Sequence, residues 1–343
     1  MGLHSRAVLR TALLFSFIPA GLLGCKAGGN DPSGATGQPP FMSTVASAPP
    51  QTADDAPPPE KTDGFDGKRA FALVAKQVSF GPRPSGSQAI VQLQDFLQSE
   101  LKSYGCAMET DSFSADTPIG RLPMKNILVK IPGEKPGVIL LGTHYDTKRL
   151  ERFVGADDAG SSTAVMLELA RLLCKQRGKY AVWIAFFDGE EAVNRDWKDP
   201  DNRYGSRQMA AKLSASSDLP RIKALLLADI VGGRNLHVKK ESYSTKWLTE
   251  LVWAVADRLG YQSVFLNEES TIEDDHLSFL SRKVPSMDVI DLDNGPEGDV
   301  YYWHTPQDTL DKISAKNLAI IGHVFLESVK QLQSRYLGLD RQM

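Results

Sequence analysis

Two long apolar runs constrain the fold of this chain more than any other feature. Residues 137–143 are continuously apolar, and residues 180–187 form a second run of the same kind. Helices cover the central strands of a parallel sheet on both faces, so residues 137–143 are predicted to lie in the centre of a sheet. The second run leads directly into Glu190 and Glu191, which indicates a buried strand that presents paired carboxylates at its carboxyl end.

Helical and strand patterns alternate along the chain around these runs. Apolar residues at three- and four-residue spacing predict helices, and short apolar runs predict strands. The predicted helices cover residues 68–78, 87–104, 160–175, 206–213, 245–259 and 315–336, and the predicted strands cover residues 107–113, 125–130, 137–143, 180–187, 222–230 and 284–290. This alternation predicts an α/β fold, a three-layer sandwich whose central, largely parallel mixed sheet is flanked by helices.

The first 25 residues have the pattern of an export signal. Two arginines precede an apolar run at residues 12–23, which is too short to span a membrane as a stable helix. The sequence LLGC at residues 22–25 resembles the bacterial lipobox, in which the cysteine becomes the acylated first residue of the mature chain. Ordinary cleavage that leaves Cys25 as a free thiol is the alternative. Lys26 at the second mature position favours the periplasmic side of the outer membrane.

Residues 26–63 have the composition of a flexible tether. The segment is rich in Pro, Gly, Ala, Ser, Thr and Asp and has almost no large apolar residues. It cannot bury enough apolar surface to offset its ordering entropy, so it is predicted to be a disordered linker between a membrane anchor and a folded domain. Residues 64–341 contain no second linker and no repeat, which predicts a single folded domain.

The net charge restricts the kinds of binding partner, and the cysteine content leaves one possible disulfide open. The net charge is -3 without a basic cluster, which argues against nucleic acid as a partner. Two cysteines remain after Cys25, and an oxidising compartment would permit Cys106 and Cys174 to form a disulfide. The sequence does not show whether these two residues meet. It also leaves the oligomeric state open.

Acids and histidines recur where the predicted strands end or in the loops that follow. These residues are His144, Asp146, Asp157, Asp158, Glu190, Glu191, Asp229 and His304. Catalytic zinc sites combine histidine nitrogens with carboxylate oxygens and keep one position open. Asp158, Glu191 and His304 would make such a three-ligand site.

Each of these residues taken alone also has an ordinary structural interpretation. Asp158 precedes a predicted helix and could be its N-cap. Asp229 could be a turn residue, His304 a hydrogen-bonded loop histidine, and the Glu-Glu pair a solvated acidic turn. Their recurrence at successive strand ends favours a common metal site.

Seven motifs, in this order, resemble those of the animal-type glutaminyl-peptide cyclotransferases, which belong to the superfamily of the M28 zinc aminopeptidases. The motifs are HYDTK at 144–148, FVGADD at 153–158, MLELAR at 166–171, FFDGEEA at 186–192, YGSR at 204–207, DDH at 274–276 and WHT at 303–305. The resemblance extends from about residue 66 to residue 336. It implies a fold of the zinc-aminopeptidase type and a catalytic domain over residues 64–341.

The resemblance implies which residues hold a metal and which move protons. Asp158, Glu191 and His304 would bind one zinc ion, and Glu190 would be the general acid and base. Asp229 and Asp274 would be catalytic acids of the hydrogen-bond network around the substrate.

Four further residues would contact the substrate if the resemblance holds. They are Trp197, Trp303, Glu273 and Lys148. Ordinary core packing is the alternative role of the two tryptophans. Glu273 departs from the family pattern, which has glutamine before Asp-Asp-His, and this difference bears on how the substrate is held.

The implied reaction converts the N-terminal glutamine of a peptide or protein to pyroglutamate and releases ammonia. An M28-type aminopeptidase with two zinc ions is the alternative, in which His144 and Asp229 bind the second metal and Asp158 bridges both. The ligands alone do not separate these two activities, but Trp303, Trp197 and the DGEEA sequence at 188–192 favour the cyclase. An inactive binding module with the same fold is a third alternative.

Overall fold

The described part of the chain, residues 56–293 and 297–339 of a computed structural model, contains seven α-helices and eight strands. The helices are α1 (Gly67–Val78), α2 (Gln88–Ser103), α3 (Gly160–Leu173), α4 (Tyr204–Ala215), α5 (Lys246–Arg258), α6 (His276–Leu280) and α7 (Ala315–Leu339). The strands are β1 (Met108–Thr117), β2 (Gly120–Ile131), β3 (Gly133–His144), β4 (Gly178–Phe187), β5 (Ile222–Asp229), β6 (Val238–Glu241), β7 (Phe265–Ser270) and β8 (Ser286–Ile290).

Six of these strands form one mixed sheet in the order β1-β2-β4-β3-β5-β8. Strands β4, β3, β5 and β8 are parallel, whereas β1 and β2 are antiparallel additions at one edge. Strand β3 therefore lies between β4 and β5, which confirms the central position predicted for residues 137–143. The carboxyl ends of these three strands meet at one edge of the sheet.

The two faces of the sheet pack into separate apolar clusters. Leu141 points into a cluster with side chains from α1, α2, α3, α5 and α7. Its neighbour Leu140 points into a second cluster with Met209 of α4 and Phe279 of α6. Each such fully buried side chain contributes about 1.5–3 kcal/mol relative to an exposed one. The predicted three-layer α/β sandwich is confirmed.

Three elements were not predicted from the sequence. Strands β6 and β7 form a separate two-stranded parallel sheet, and α6 is a single short helix. The sequences VKKE and FLNEES of the two strands are mostly polar, so they carry no apolar pattern that would indicate strands. Strands β1 and β2 also extend beyond their predicted bounds, because their outer halves form a partly exposed hairpin.

The folded domain begins before the predicted end of the tether. Residues 59–61 form a 3-10 turn, and the buried Thr62 donates a hydrogen bond from Oγ1 to the carbonyl oxygen of Phe65 at 2.7 Å. Phe65 packs so closely on Gly322 of α7 that a Cβ at that glycine would lie 2.1 Å from its ring. Residues 59–62, whose composition predicts a flexible tether, thus have regular structure and a hydrogen bond to the chain that follows. The predicted signal peptide and the tether up to residue 55 lie outside the described residues.

A disulfide joins Cys106 and Cys174, whose Cα atoms are 5.2 Å apart. It connects the residues before β1 to the end of α3, and it answers the pairing question that the sequence left open. Within residues 56–293 and 297–339, no helix combines the length and apolar character needed to cross a bilayer.

Candidate active site

The carboxyl ends of β3, β4 and β5 carry the residues that the sequence singled out. His144 ends β3 opposite Phe187 of β4, and Asp229 ends β5. The loop after β4 is held in place by Asp146, whose carboxylate accepts hydrogen bonds from the backbone N–H groups of Glu190 at 3.0 Å and Glu191 at 3.4 Å. The two glutamates are therefore fixed by their backbone and point their side chains into the site.

Gly189 permits this turn between the strand and the two glutamates. Its φ is +75°, a conformation that glycine adopts without strain. A Cβ at this position would lie 2.7 Å from the sulfur of Met124. On the other side of the turn, Asp188 accepts a hydrogen bond from the backbone N–H of Lys125 at 2.9 Å.

Asp158, Glu191 and His304 form one group with the donor chemistry of a metal site. His304 Nε2 lies 3.0 Å from Glu191 Oε1 and 3.3 Å from Asp158 Oδ2. One donor atom from each residue lies within 4.8 Å of the others. Glu191 Oε2 is buried and forms no hydrogen bond among the described residues, and the Lys148 ammonium lies 3.6 Å from it. Two buried carboxylates and an imidazole at one point fit a divalent cation.

The electrostatics of this group also attract a cation. Burial alone would lower the pKa of His304, but the carboxylates of Glu191 and Asp158 outweigh it and raise the pKa to about 10. His144 and His304 hold the pKa of Asp158 well below its ordinary value despite its burial. A positive charge is therefore strongly favoured between these side chains. Asp158 caps no helix, since the residue that precedes α3 is Ala159.

His144, Asp158 and Asp229 form a second group that shares Asp158 with the first. His144 Nε2 lies 2.9 Å from Asp229 Oδ1 and 3.3 Å from Asp158 Oδ1, and its Nδ1 lies 3.5 Å from Asp146 Oδ1. Burial opposes protonation of His144, yet Asp229 and the other carboxylates raise its pKa well above the ordinary value. The structure thus brings together every residue that either predicted activity assigns as a metal ligand.

Glu190 lies beside His144 and has the properties of a general acid and base. Its carboxyl is buried, and Oε2 lies 3.8 Å from His144 Nδ1. Burial raises the pKa of Glu190 well above its ordinary value, and the charge of Asp274 adds to this effect while His144 opposes it. Burial likewise raises the pKa of Asp229 to about 7. Such carboxyls can hold and release a proton near neutral pH.

A cavity of about 300 Å³ opens above these side chains. Its floor consists of buried acidic side chains, which are Asp158, Glu190, Glu191, Asp229 and Asp274. Trp303 forms one wall and stacks on the His304 ring at a centroid distance of 3.9 Å. At the mouth, Trp197 Nε1 donates a hydrogen bond to Glu273 Oε2 at 3.3 Å. Lys148 also lines the cavity, with Nζ 3.6 Å from Glu191 Oε2.

Two buried residues that position the site were missed by the sequence analysis. Asp308 accepts hydrogen bonds from the backbone N–H groups of Asp157 at 2.8 Å and Asp158 at 3.1 Å, which ties the Asp158 loop to the His304 loop. Arg83 donates to the carbonyl oxygens of residues 154 and 155, directly before these acids. Asp308 follows His304 by four residues, but a single acid in a polar loop gives no pattern to recognise.

Comparison with known proteins identifies the family. The profile of peptidase family M28 matches residues 126–329. The Drosophila melanogaster glutaminyl-peptide cyclotransferase is 30% identical over 276 residues, covering 71% of this chain and 76% of that protein. A Mus musculus glutaminyl-peptide cyclotransferase-like protein is 31% identical and covers 75% of this chain and 73% of its own length. The chain belongs to the glutaminyl-peptide cyclotransferases of family M28.

Solved structures agree with this assignment. The glutaminyl cyclase of an Acidobacteriales bacterium is 40% identical, has a TM-score of 0.75, and covers 79% of this chain and 96% of its own. A Zn-dependent exopeptidase from Parabacteroides distasonis is 30% identical, has a TM-score of 0.70, and covers 77% and 97% of the two chains. The resemblance inferred from the motifs is confirmed.

Proposed function

We propose that this protein is a zinc-dependent glutaminyl-peptide cyclotransferase that converts N-terminal glutamine to pyroglutamate and releases ammonia. The observation that carries the proposal is the position of Glu190, a buried carboxyl of raised pKa on the floor of a tryptophan-walled cavity, beside a group of metal-type ligands. The similarity to glutaminyl cyclases supports it. The substrates are peptides or proteins with glutamine at the amino terminus.

Asp158, Glu191 and His304 would hold one zinc ion in this enzyme. The two carboxylates that face His304 Nε2 support this ligand set. When bound there, zinc supplies a Lewis acid for the side-chain carbonyl of the substrate glutamine.

Glu190 moves the proton that ring closure requires. The reaction forms a bond from the α-nitrogen to the side-chain carbonyl carbon and breaks the bond from that carbon to the amide nitrogen, which leaves as ammonia. Glu190 accepts a proton from the attacking amine and returns it to the departing nitrogen, so no net proton is needed. Asp229 and Asp274, which line the same floor, orient the amine.

The cavity walls fold the substrate into a reactive shape. Ring closure is intramolecular, so the enzyme gains most by holding the α-amine and the side-chain carbonyl of one residue against each other. Trp303 is fixed by its stacking on His304, and Trp197 lines the mouth of the cavity. Lys148 and Glu273 complete the polar lining.

Mass spectrometry of a Gln-initiated peptide tests the proposal directly. Incubation with the zinc-loaded protein should remove one ammonia from the peptide and leave its length unchanged. The same peptide with leucine at the amino terminus is the control and should remain intact. Removal of a whole residue from either peptide would contradict the cyclase assignment.

A di-zinc aminopeptidase is the second candidate, because the two ligand groups share Asp158 as bridging carboxylates do in two-metal sites. His144 and Asp229 would hold the second zinc. The likeness to an exopeptidase of known structure supports it. Two zinc ions per chain after dialysis, together with rapid release of leucine, would favour this activity over the cyclase.

We also propose that the chain is exported and anchored by a lipid on Cys25, on the periplasmic side of the outer membrane. The lipobox at residues 22–25 and Lys26 support this location. The Cys106–Cys174 disulfide is in keeping with an oxidising compartment. Cys25→Ser should release the protein from the membrane fraction. Continued sedimentation of this variant with membranes would refute the anchor.

A further inference from the structure

The mouth of the cavity carries a carboxylate that differs from the acids on the floor. Glu273 is exposed, whereas its neighbour Asp274 is buried at the floor. Trp197 Nε1 donates a hydrogen bond to Glu273 Oε2 at 3.3 Å, which positions this carboxylate over the opening. Two consecutive residues therefore lie at different depths, with Asp274 on the floor and Glu273 at the mouth.

The second residue of a substrate must lie at this mouth. Ring closure requires both the α-amine and the side chain of the first residue on the floor beside Glu190. The peptide therefore leaves through the opening, and its second side chain meets Trp197, Glu273 and Arg195, which all line the mouth region of the cavity. Chemistry at the mouth can select this side chain without touching the reacting atoms.

The acidic side chains of the cavity favour a positively charged second residue in the substrate. Six carboxylates line it, from Asp158, Glu190, Glu191, Asp229, Glu273 and Asp274, against the two side-chain cations Lys148 and Arg195 and one imidazole. The other five acids are buried around the proposed zinc site, so Glu273 is the exposed carboxylate of this cavity. The faces of the two tryptophans also attract cations.

We propose that Glu273 makes the enzyme prefer substrates whose second residue is Lys or Arg. This inference rests on the proposed cyclase function. A unit charge about 5–7 Å from Glu273 at a solvated opening is worth roughly a three- to tenfold difference in affinity. Arg195 on the same rim acts in the opposite direction and disfavours basic second residues.

Three peptides that begin Gln-Lys, Gln-Ala and Gln-Glu and are otherwise identical test this proposal. Ammonia release gives kcat/KM for each peptide with the wild type, Glu273→Gln and Arg195→Gln. Glu273→Gln removes the charge and keeps the shape, and Arg195→Gln is the matched control of opposite sign. The ratio of Gln-Lys to Gln-Glu cancels any general loss of activity in a variant.

The wild type should favour Gln-Lys over Gln-Glu at low salt. Glu273→Gln should lower this ratio about three- to tenfold, chiefly through KM, and Arg195→Gln should raise it. About 0.5 M NaCl should reduce the wild-type ratio because salt screens exposed charges. An unchanged ratio in Glu273→Gln, or a change confined to kcat, overturns the inference alone. Failure of the zinc-loaded wild type to cyclise any of the three peptides overturns the proposed function as well.

Discussion

The two sides of the Asp158 carboxylate offer the same ligand chemistry but differ in access. On one side His304 lines the cavity, and 18% of its side chain is exposed. On the other side His144 is not among the cavity-lining residues, and 1% of its side chain is exposed. Each histidine faces Asp158 at 3.3 Å and one further carboxylate at about 3 Å.

Access distinguishes the His304 group from the His144 group, although both consist of one histidine and two carboxylates. A metal ion and a substrate can meet at His304 because that side opens into the cavity. At His144 both ring nitrogens already face buried carboxylates of Asp146 and Asp229. We therefore expect zinc at the His304 side, and we expect His144 to orient Asp229 and Glu190. Matched substitutions on the two sides test this distinction.

The largest effect is expected at His304. His304→Asn removes one of three proposed ligands, so the protein should lose its zinc on dialysis and the rate of ammonia release should fall at least about a thousandfold. Zinc content by mass spectrometry and the rate on a Gln-initiated peptide are measured on the same sample. A variant that keeps full zinc would show that His304 is not a ligand.

Glu190→Gln should separate proton transfer from metal binding. The amide fits the same space but cannot carry the proton, so turnover should fall about a hundred- to ten-thousandfold while zinc content stays that of the wild type. Glu191→Gln is the matched control, because it changes the adjacent residue by the same atoms and should weaken zinc binding. Equal zinc loss in both variants would mean that the roles of the two glutamates are assigned wrongly.

His144→Asn makes the same change as His304→Asn on the closed side of Asp158. Close to one zinc per chain should remain, and the rate should fall about ten- to hundredfold through poorer orientation of the acids. Zinc content and rate on the Gln-initiated peptide are again measured together. A fall from two zinc ions to one, with loss of leucine release, would break the distinction and favour the aminopeptidase.

The smallest effect is expected at the cavity wall. Trp303→Ala removes the ring that stacks on His304 and confines the substrate, so kcat/KM should fall about tenfold without loss of zinc. Trp303→Phe keeps a flat ring and should restore most of the rate. If Trp303→Ala leaves kcat/KM unchanged, the wall does not position the substrate.

The parts of the fold and site that sequence could predict are those where burial leaves a strong pattern. Residues 137–143 and 180–187 are apolar because helices cover the sheet on both faces. Their strands are parallel neighbours, so the residues that follow them meet at one edge. Asp158 and His304 lie 146 positions apart, yet their motifs, taken in order, place both at that edge.

Features held by backbone contacts or by isolated side chains escaped prediction. Arg83 is fully buried and Asp308 supports Asp158, but each is one polar residue in a loop. The pairing of Cys106 with Cys174 depends on the distance between the start of β1 and the end of α3, which sequence spacing does not give. The difference in solvent access between His144 and His304 also escaped prediction. Both residues lie in motifs that indicate a metal ligand, and only the packing around them makes one accessible and the other closed.

The Cys106–Cys174 disulfide determines how the protein responds to proteolytic nicking. The covalent ring that it closes runs from residue 106 to residue 174, so it contains β1, β2, β3 and α3 and includes His144 and Asp158. The hairpin turn inside this ring is open to a protease, since Ile119 is 56% exposed and the side chain of Arg121 is 72% exposed. A single cut by trypsin after Arg121 leaves both fragments covalently linked, so a nicked molecule migrates as one band without reductant and as two bands with it.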